Sequence, residues 1–83
     1  MKNTTTDQFV LAHGGDILTV QYDGNMWLAP NTGSQHATRS DAIRQELGDY
    51  LTACGEAPRD ADGDIEYSGL VLAEHGEWMD EDD

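Results

Sequence analysis

The chain has 83 residues, 17 of them acidic and 4 basic, and its formal net charge at pH 7 is −13. This length allows one domain over residues 1–83 with a thin core. The charge makes nucleic acid and anionic membranes poor partners, because so few basic side chains cannot form a phosphate-binding patch, and it favours basic proteins instead.

The first part of the chain has the pattern of a β-meander. Residues 1–7 are polar and are predicted to be frayed, while residues 8–13 (QFVLAH) and 16–22 (DILTVQY) alternate in the manner of half-buried strands. Asp23-Gly24 is a hairpin signal, and residues 25–30 (NMWLAP) supply the return strand. The sequence therefore predicts three antiparallel strands.

A polar loop over residues 31–40 leads into a predicted helix. Thr38 and Asp41 fit a capping box, with Ser40 as an alternative N-cap, and Gly55 is suited to the C-terminal cap. One apolar stripe on this helix consists of Ile43, Leu47, Tyr50, Leu51 and Cys54. We expect Cys54 to be a buried, inert thiol, and Gly48 to allow a close approach of the helix to the sheet.

The remaining residues carry most of the charge. Residues 56–83 hold eleven acidic residues and one basic residue, a net charge of −10, against −3 for residues 1–55. Residues 65–73 (IEYSGLVLA) are predicted to form a fourth strand, and residues 74–79 either a fifth strand or an anchor through Trp78. Residues 80–83 are an acidic tail. The predicted fold is α+β: a three-stranded antiparallel meander, one helix packed on the sheet, and one or two C-terminal strands.

Acidic residues occupy every second position of the stretch RDADGDIEY, at Asp60, Asp62, Asp64 and Glu66. An EF-hand loop counted from Asp60 would need Gly at Ile65 and Glu at Val71, so the calcium interpretation fails. In an extended chain these carboxylates would share one face about 6.6 Å apart, like successive phosphates of a nucleic-acid strand. The alternative is a solvated turn, in which Asp and Gly serve turn formation.

No catalytic signature is present in the sequence. His13, His36 and His75 stand apart from one another, without the spacing of a metal site, and the glycines match no phosphate-binding fingerprint. We therefore expect no enzyme activity, no metal and no cofactor.

Compartment signals indicate the cytoplasm. Cys54 is the only cysteine, so no disulfide can form within the chain, as is usual in a reducing compartment. Residues 1–8 (MKNTTTDQ) lack the apolar stretch of a signal peptide, and no apolar run approaches the roughly 20 residues of a membrane span. We expect a cytoplasmic protein, of the host cell if a phage encodes it.

In charge, size and predicted architecture the chain resembles small acidic inhibitors of phages and mobile elements, namely DNA-mimicking anti-CRISPR, anti-restriction and glycosylase-inhibitor proteins. The resemblance implies that it occupies the nucleic-acid site of a CRISPR effector, restriction enzyme or repair enzyme, with no chemistry of its own. The partner-binding residues would then be carboxylates of the acidic part: Asp60, Asp62, Asp64, Glu66, Glu74, Glu77, Asp80, Glu81 and Asp82.

A second resemblance concerns residues 17–72. The runs VQYDGNMWLAP and TRSDAIRQELGDYL, followed by a later strand, are similar to the strand–strand–loop–helix–strand order of HicB-type antitoxin domains. This resemblance implies a small regulatory or assembly module that binds a basic protein partner. Such a module would bind through its helix or an apolar patch, and its acids would only keep it soluble.

Overall fold

The computed structural model describes residues 5–79, and it confirms the predicted α+β class. A five-stranded antiparallel sheet is covered on one face by one main helix. In chain order the elements are β1 (Thr5–Leu11), β2 (Ile17–Tyr22), β3 (Trp27–Ala29), β4 (Ser34–His36), α1 (Arg39–Cys54), a single 3-10 turn (Tyr67–Gly69), α2 (Leu72–His75) and β5 (Gly76–Trp78). The strand order across the sheet is β4-β3-β2-β1-β5.

Strand β1 begins earlier than the sequence predicts. Thr5 pairs with Tyr22, and Asp7 pairs with Val20 while its carboxylate accepts a hydrogen bond from Arg39 at 3.0 Å. The prediction of fraying is therefore wrong for residues 5–7, because strand pairing and this ion pair hold them. Residues 1–4 lie outside the described part of the chain.

The hairpin after β2 forms where the sequence predicts it, but its loop is longer. The Asp23 carboxylate accepts hydrogen bonds from the backbone N–H groups of Asn25 and Met26 at 2.9 and 2.8 Å. Gly24 adopts a positive φ of 97°, which an L-residue rarely tolerates. Asn25 and Met26 thus belong to the turn, and β3 is shorter than the predicted strand over residues 25–30.

Strand β4 lies inside the stretch that was predicted to be a loop. Ser34 pairs with Ala29 and His36 with Trp27, after a turn in which the Gly33 N–H donates to the Ala29 carbonyl at 2.7 Å. The sequence Ser-Gln-His has no apolar alternation, so it carries no strand signal of its own. The turn brings it back against β3, and pairing follows from that position.

Helix α1 has the predicted ends. The Thr38 hydroxyl accepts a hydrogen bond from the Asp41 N–H at 3.1 Å, and Gly55 caps the other end in the left-handed conformation. The largest fully buried side chains are Phe9 and Val20 from the sheet and Ile43 and Leu47 from the helix. Cys54 is exposed, so the prediction of a buried thiol is wrong: the last helical turn runs past the packed part of the stripe.

The predicted strand over residues 65–73 does not form. Ile65 makes an isolated bridge with Arg59, and the chain then coils through the 3-10 turn and α2. Two side chains spaced three residues apart, Tyr67 and Leu70, both pack on the core, and Leu70 is only 2% exposed. A strand would place them on opposite faces, so this packing requires a turn.

The fifth strand is confirmed. Gly76 and Trp78 of β5 pair with Leu11 and Phe9 of β1. The ring of Trp78 meets that of Phe9 edge to face, with 5.3 Å between ring centroids and 84° between ring planes. Trp78 therefore belongs to the fifth strand and also anchors this end of the chain against Phe9 of the core.

Gly48 allows a close contact, but with Tyr67 rather than with the sheet. A Cβ at position 48 would overlap the Tyr67 ring. The expectation that the sheet approaches here is thus wrong, because the 3-10 turn inserts its ring against the bare helix backbone.

We expect Gly48→Ala to destabilise the protein by a net amount of up to about 2 kcal/mol, because overpacking usually costs about 1 to 3 kcal/mol. This cost outweighs the gain of about 1 kcal/mol that alanine brings to a helix interior. Urea unfolding at constant salt measures the change.

The matched control is Gly48→Ala in a Tyr67→Ala background, where the ring is absent. There the substitution should be neutral or should stabilise the protein. Equal destabilisation in both backgrounds would contradict the assignment of Tyr67 as the side chain that requires glycine.

Candidate protein-binding surface

The stretch RDADGDIEY folds as a tight turn. The Asp60 N–H donates to the Asp64 carbonyl at 2.9 Å, and the Gly63 N–H donates to the Asp60 carbonyl at 3.0 Å. The Asp60 carboxylate accepts hydrogen bonds from the backbone N–H groups of Asp62 and Asp64 at 2.9 and 3.1 Å. Gly63 has a φ of 88° and completes the turn.

The predicted arrangement of these carboxylates in one row along an extended chain is therefore wrong. Asp60 directs its carboxylate into the turn, and Arg59 donates to the Gly63 carbonyl at 2.8 Å. Side-chain capping by Asp60 and the positive φ of Gly63 favour the turn over the extended conformation. Asp62 and Asp64 remain exposed in this turn, but no phosphate-like spacing along one face exists.

Most acidic side chains before residue 56 have structural roles. Asp7 and Asp41 pair with arginines at 3.0 and 3.3 Å, and the Tyr50 hydroxyl donates to Asp16 at 3.0 Å. Glu46 is buried, and its carboxylate accepts hydrogen bonds from the backbone and side-chain nitrogens of Asn31 at 2.8 and 2.7 Å. Together with Asp23 in the hairpin, these carboxylates stabilise turns and contacts between elements.

The acidic side chains after residue 55 are used differently. Here the acidic segment denotes residues 56–79. Within the part of the chain that is described, the carboxylates with no hydrogen bond or ion pair are all exposed: Asp49, Glu56, Asp62, Asp64, Glu66, Glu74 and Glu77. Only Asp49 lies outside the acidic segment, so free carboxylates are concentrated in it.

Three helix side chains attach the acidic segment without neutralising it. The Arg39 guanidinium stacks over the Trp78 ring, with its carbon 4.1 Å from the ring centroid. Arg44 donates to the Leu70 carbonyl and Gln45 to the Tyr67 hydroxyl, each at 3.3 Å. Both arginines form their ion pairs with Asp7 and Asp41, so the charge of the segment stays exposed to solvent.

The predicted partner-binding residues do not form one row. Glu74 lies on α2 and Glu77 on β5, whereas Asp62 and Asp64 lie in the turn. The other predicted residues, Asp80, Glu81 and Asp82, lie outside the described residues.

A groove that sequence reasoning missed lies beside the acidic segment. Its volume is about 380 Å³, and three leucines contribute to its lining: Leu11, Leu47 and Leu51. Tyr50, Cys54, Glu56 and two histidines, His13 and His75, complete the lining. These residues come from β1, α1, α2 and two loops. Only the part of the lining that α1 contributes could be seen in the sequence, as the apolar stripe of the predicted helix.

The outer face of the sheet, opposite α1, is almost uncharged. The strand register and side-chain alternation place these residues on it: Thr6, Gln8, Val10, Ile17, Thr19, Gln21, Leu28, Gln35 and Glu77. None of them is buried, and Ile17 is 46% exposed. Negative charge on the strands of this face is therefore confined to the edge strand β5.

Comparison with known proteins assigns no family: no family model, curated protein or solved structure matches the chain. Among residues 5–79, no three His, Cys, Asp or Glu side chains are placed to hold a metal ion together. The helices within the same range are too short or too polar to cross a membrane.

The hydrogen bond from Tyr50 to Asp16 gives a testable electrostatic signature. The hydrogen bond to Asp16, together with desolvation and the negative charge of Asp16, raises the pKa of Tyr50 from 10.0 to about 12. We expect Asp16→Asn to lower this pKa towards 10, because the amide removes the charge that opposes tyrosinate formation. The Tyr50 Cζ chemical shift, followed by NMR as a function of pH, measures it.

The same pair links pH to stability. The pKa in the folded state lies above the unfolded value, so the stabilisation by the Tyr50 hydroxyl is fully present below pH 10 and is lost as pH rises to about 12. The difference in unfolding free energy between the wild type and Tyr50→Phe should shrink over this interval. A difference that does not change with pH would contradict the pairing.

Proposed function

We propose that this protein is a non-enzymatic inhibitor that binds the basic nucleic-acid-binding surface of a defence or DNA-processing protein. CRISPR effectors, restriction enzymes and repair enzymes are the target classes. The observation that supports the proposal is the concentration, in the acidic segment, of exposed carboxylates with no partner among the described residues. The proposed site of action is the cytoplasm.

Free carboxylates suit this role for an energetic reason. A carboxylate that already has an intramolecular partner has part of its charge and hydrogen-bonding capacity satisfied, so it gains less from a lysine or arginine elsewhere. Glu66, Glu74 and Glu77 have no such partner, so only their hydration must be displaced. Their summed field would also accelerate encounter with a basic groove.

The mimicry in this proposal is one of charge rather than of spacing. The turn at Asp60–Asp64 breaks the regular row, so the protein does not reproduce a phosphate backbone residue by residue. The acidic segment instead offers carboxylates on a turn, a short helix and an edge strand. A groove lined by Lys and Arg responds to such a distribution through many weak contacts.

The charge proposal is tested with a variant in which five free carboxylates become amides: Asp62→Asn, Asp64→Asn, Glu66→Gln, Glu74→Gln and Glu77→Gln. Each exposed pair contributes about 0.2 to 1 kcal/mol, so the affinity for a basic partner should fall about fivefold or more. Affinity capture from host cytoplasm, at low and high salt and with duplex DNA as competitor, measures it.

A matched control replaces uncharged residues of the outer face by alanine: Thr6, Thr19, Gln21 and Gln35. This variant should retain nucleic-acid-binding proteins at low salt and release them at high salt or with DNA, as the wild type does. Retention that is indifferent to salt, to DNA and to the five amide substitutions would contradict the proposal.

The second candidate is a small regulatory or assembly module, such as a HicB-like antitoxin, that binds a protein through the outer face of the sheet. The nearly uncharged, incompletely covered surface around Ile17 and Leu28 supports it. In that case the acids keep the protein soluble and contribute little to binding.

Charge placed on the outer face separates the two candidates. Ile17→Lys should abolish binding of an assembly partner, because a lysine there would have to be desolvated in the interface. The same variant should bind a basic partner of the acidic segment with an affinity near that of the wild type. Pull-down of one captured partner with Ile17→Lys and with the five-amide variant gives opposite results for the two functions.

A further inference from the structure

The groove lined by Leu11, Leu47 and Leu51 is called the leucine groove below. Its leucines lie at the floor and are almost fully buried, with exposed fractions of 6%, 0% and 7%, so most of its accessible surface comes from the remaining lining residues: His13, Tyr50, Cys54, Glu56 and His75. Glu56 contributes to its lining and is one of the free carboxylates of the acidic segment. The Tyr50 hydroxyl, also in the lining, donates to the carboxylate of Asp16. Among the described residues, no lysine or arginine lines this groove.

We propose that the leucine groove binds one large apolar side chain of the basic protein partner, and that lysine or arginine residues flank this side chain in the partner. The inference rests on the proposed function and specifies its binding chemistry. Charge complementarity argues for this occupant: the flanking cations would lie near Glu56 and Asp16. The apolar side chain would pack on the accessible edges of Leu11 and Leu51 and on the side chains of Tyr50 and Cys54.

The dimensions of the groove support one anchoring side chain. Its volume of about 380 Å³ lies at the lower end of the roughly 300 to 1,000 Å³ that is usual for ligand pockets. That space admits one aromatic or aliphatic side chain but no extended apolar surface. Interfaces commonly contain such an anchor in a pocket with a polar rim around it.

An anchor would also supply what the exposed carboxylates lack. Each exposed ion pair is weak and is screened by salt, so charge alone discriminates poorly among basic proteins. Burial of an apolar side chain does not depend on such screening. The leucine groove would therefore determine which basic partner stays bound at physiological ionic strength.

Cys54 gives a way to block the groove without changing its leucines. It is the only cysteine, it lines the groove and it is exposed, so N-ethylmaleimide would place a bulky group there selectively. The probes are two synthetic lysine-rich peptides of equal length and charge, one with a central Phe and the other with Ala at that position. Isothermal titration calorimetry at fixed ionic strength measures both dissociation constants.

We expect the unmodified protein to bind the Phe peptide about tenfold more tightly than the Ala peptide, as partial burial of a Phe side chain predicts. Alkylation of Cys54 should remove this preference and leave the affinity for the Ala peptide unchanged. Cys54→Ser is measured before and after the same reagent treatment, and its two peptide affinities should not change on treatment, which shows that the effect comes from the modified thiol.

The outcomes distinguish this inference from the function on which it rests. Equal, salt-sensitive binding of both peptides would overturn the anchor and leave the acidic binding intact. A preference for Phe that survives alkylation would place the apolar contact elsewhere on the protein and would also overturn the inference. If neither peptide bound in a salt-sensitive manner, the proposed function and the inference would fail together.

Discussion

Burial of Phe9, Val20, Ile43 and Leu47 between the sheet and α1 is the interaction on which the rest of the structure depends. The chain carries a net charge of −13, so every compact arrangement brings like charges together. The two ion pairs found among residues 5–79 are partly exposed and offset little of this repulsion. Apolar burial, strand pairing and the helix caps must therefore maintain the fold, and the acidic side chains are accommodated where they do not disturb it.

That constraint divides the carboxylates into two groups. Those of the first 55 residues are mostly used inside the molecule, as in the buried contact of Glu46 with Asn31 or the ion pair of Asp7 with Arg39. Those of the acidic segment are mostly left hydrated, although Arg39 and Arg44 lie against the same segment. The arginines hold the backbone and Trp78 in place and leave the charge available. This division supports a binding function for the acidic segment.

Local hydrogen bonding at Asp60–Asp64 determines how the acidic segment presents its carboxylates. An acidic residue at every second position would support mimicry of a phosphate backbone if the chain were extended. The Asp60 carboxylate instead caps its own turn, and one glycine with a positive φ completes it. Glu56 of the same segment lines the leucine groove. Charge density together with the groove, rather than regular spacing, is thus the physical basis of the recognition that we propose.

Features that depend on residues close together in the chain could be predicted from the sequence. These include the caps of α1 at Thr38 and Gly55, the hairpin at Asp23-Gly24 and the accumulation of charge after residue 55. Other features became known only from the folded structure: the pairing of β4, the coiled course of residues 65–73, the insertion of Tyr67 against Gly48 and the exposure of Cys54. Each of these depends on a partner distant in sequence or on where α1 runs past the sheet. Caps and turns are satisfied by their own neighbours, whereas the leucine groove exists only once β1, α1 and the acidic segment have packed together.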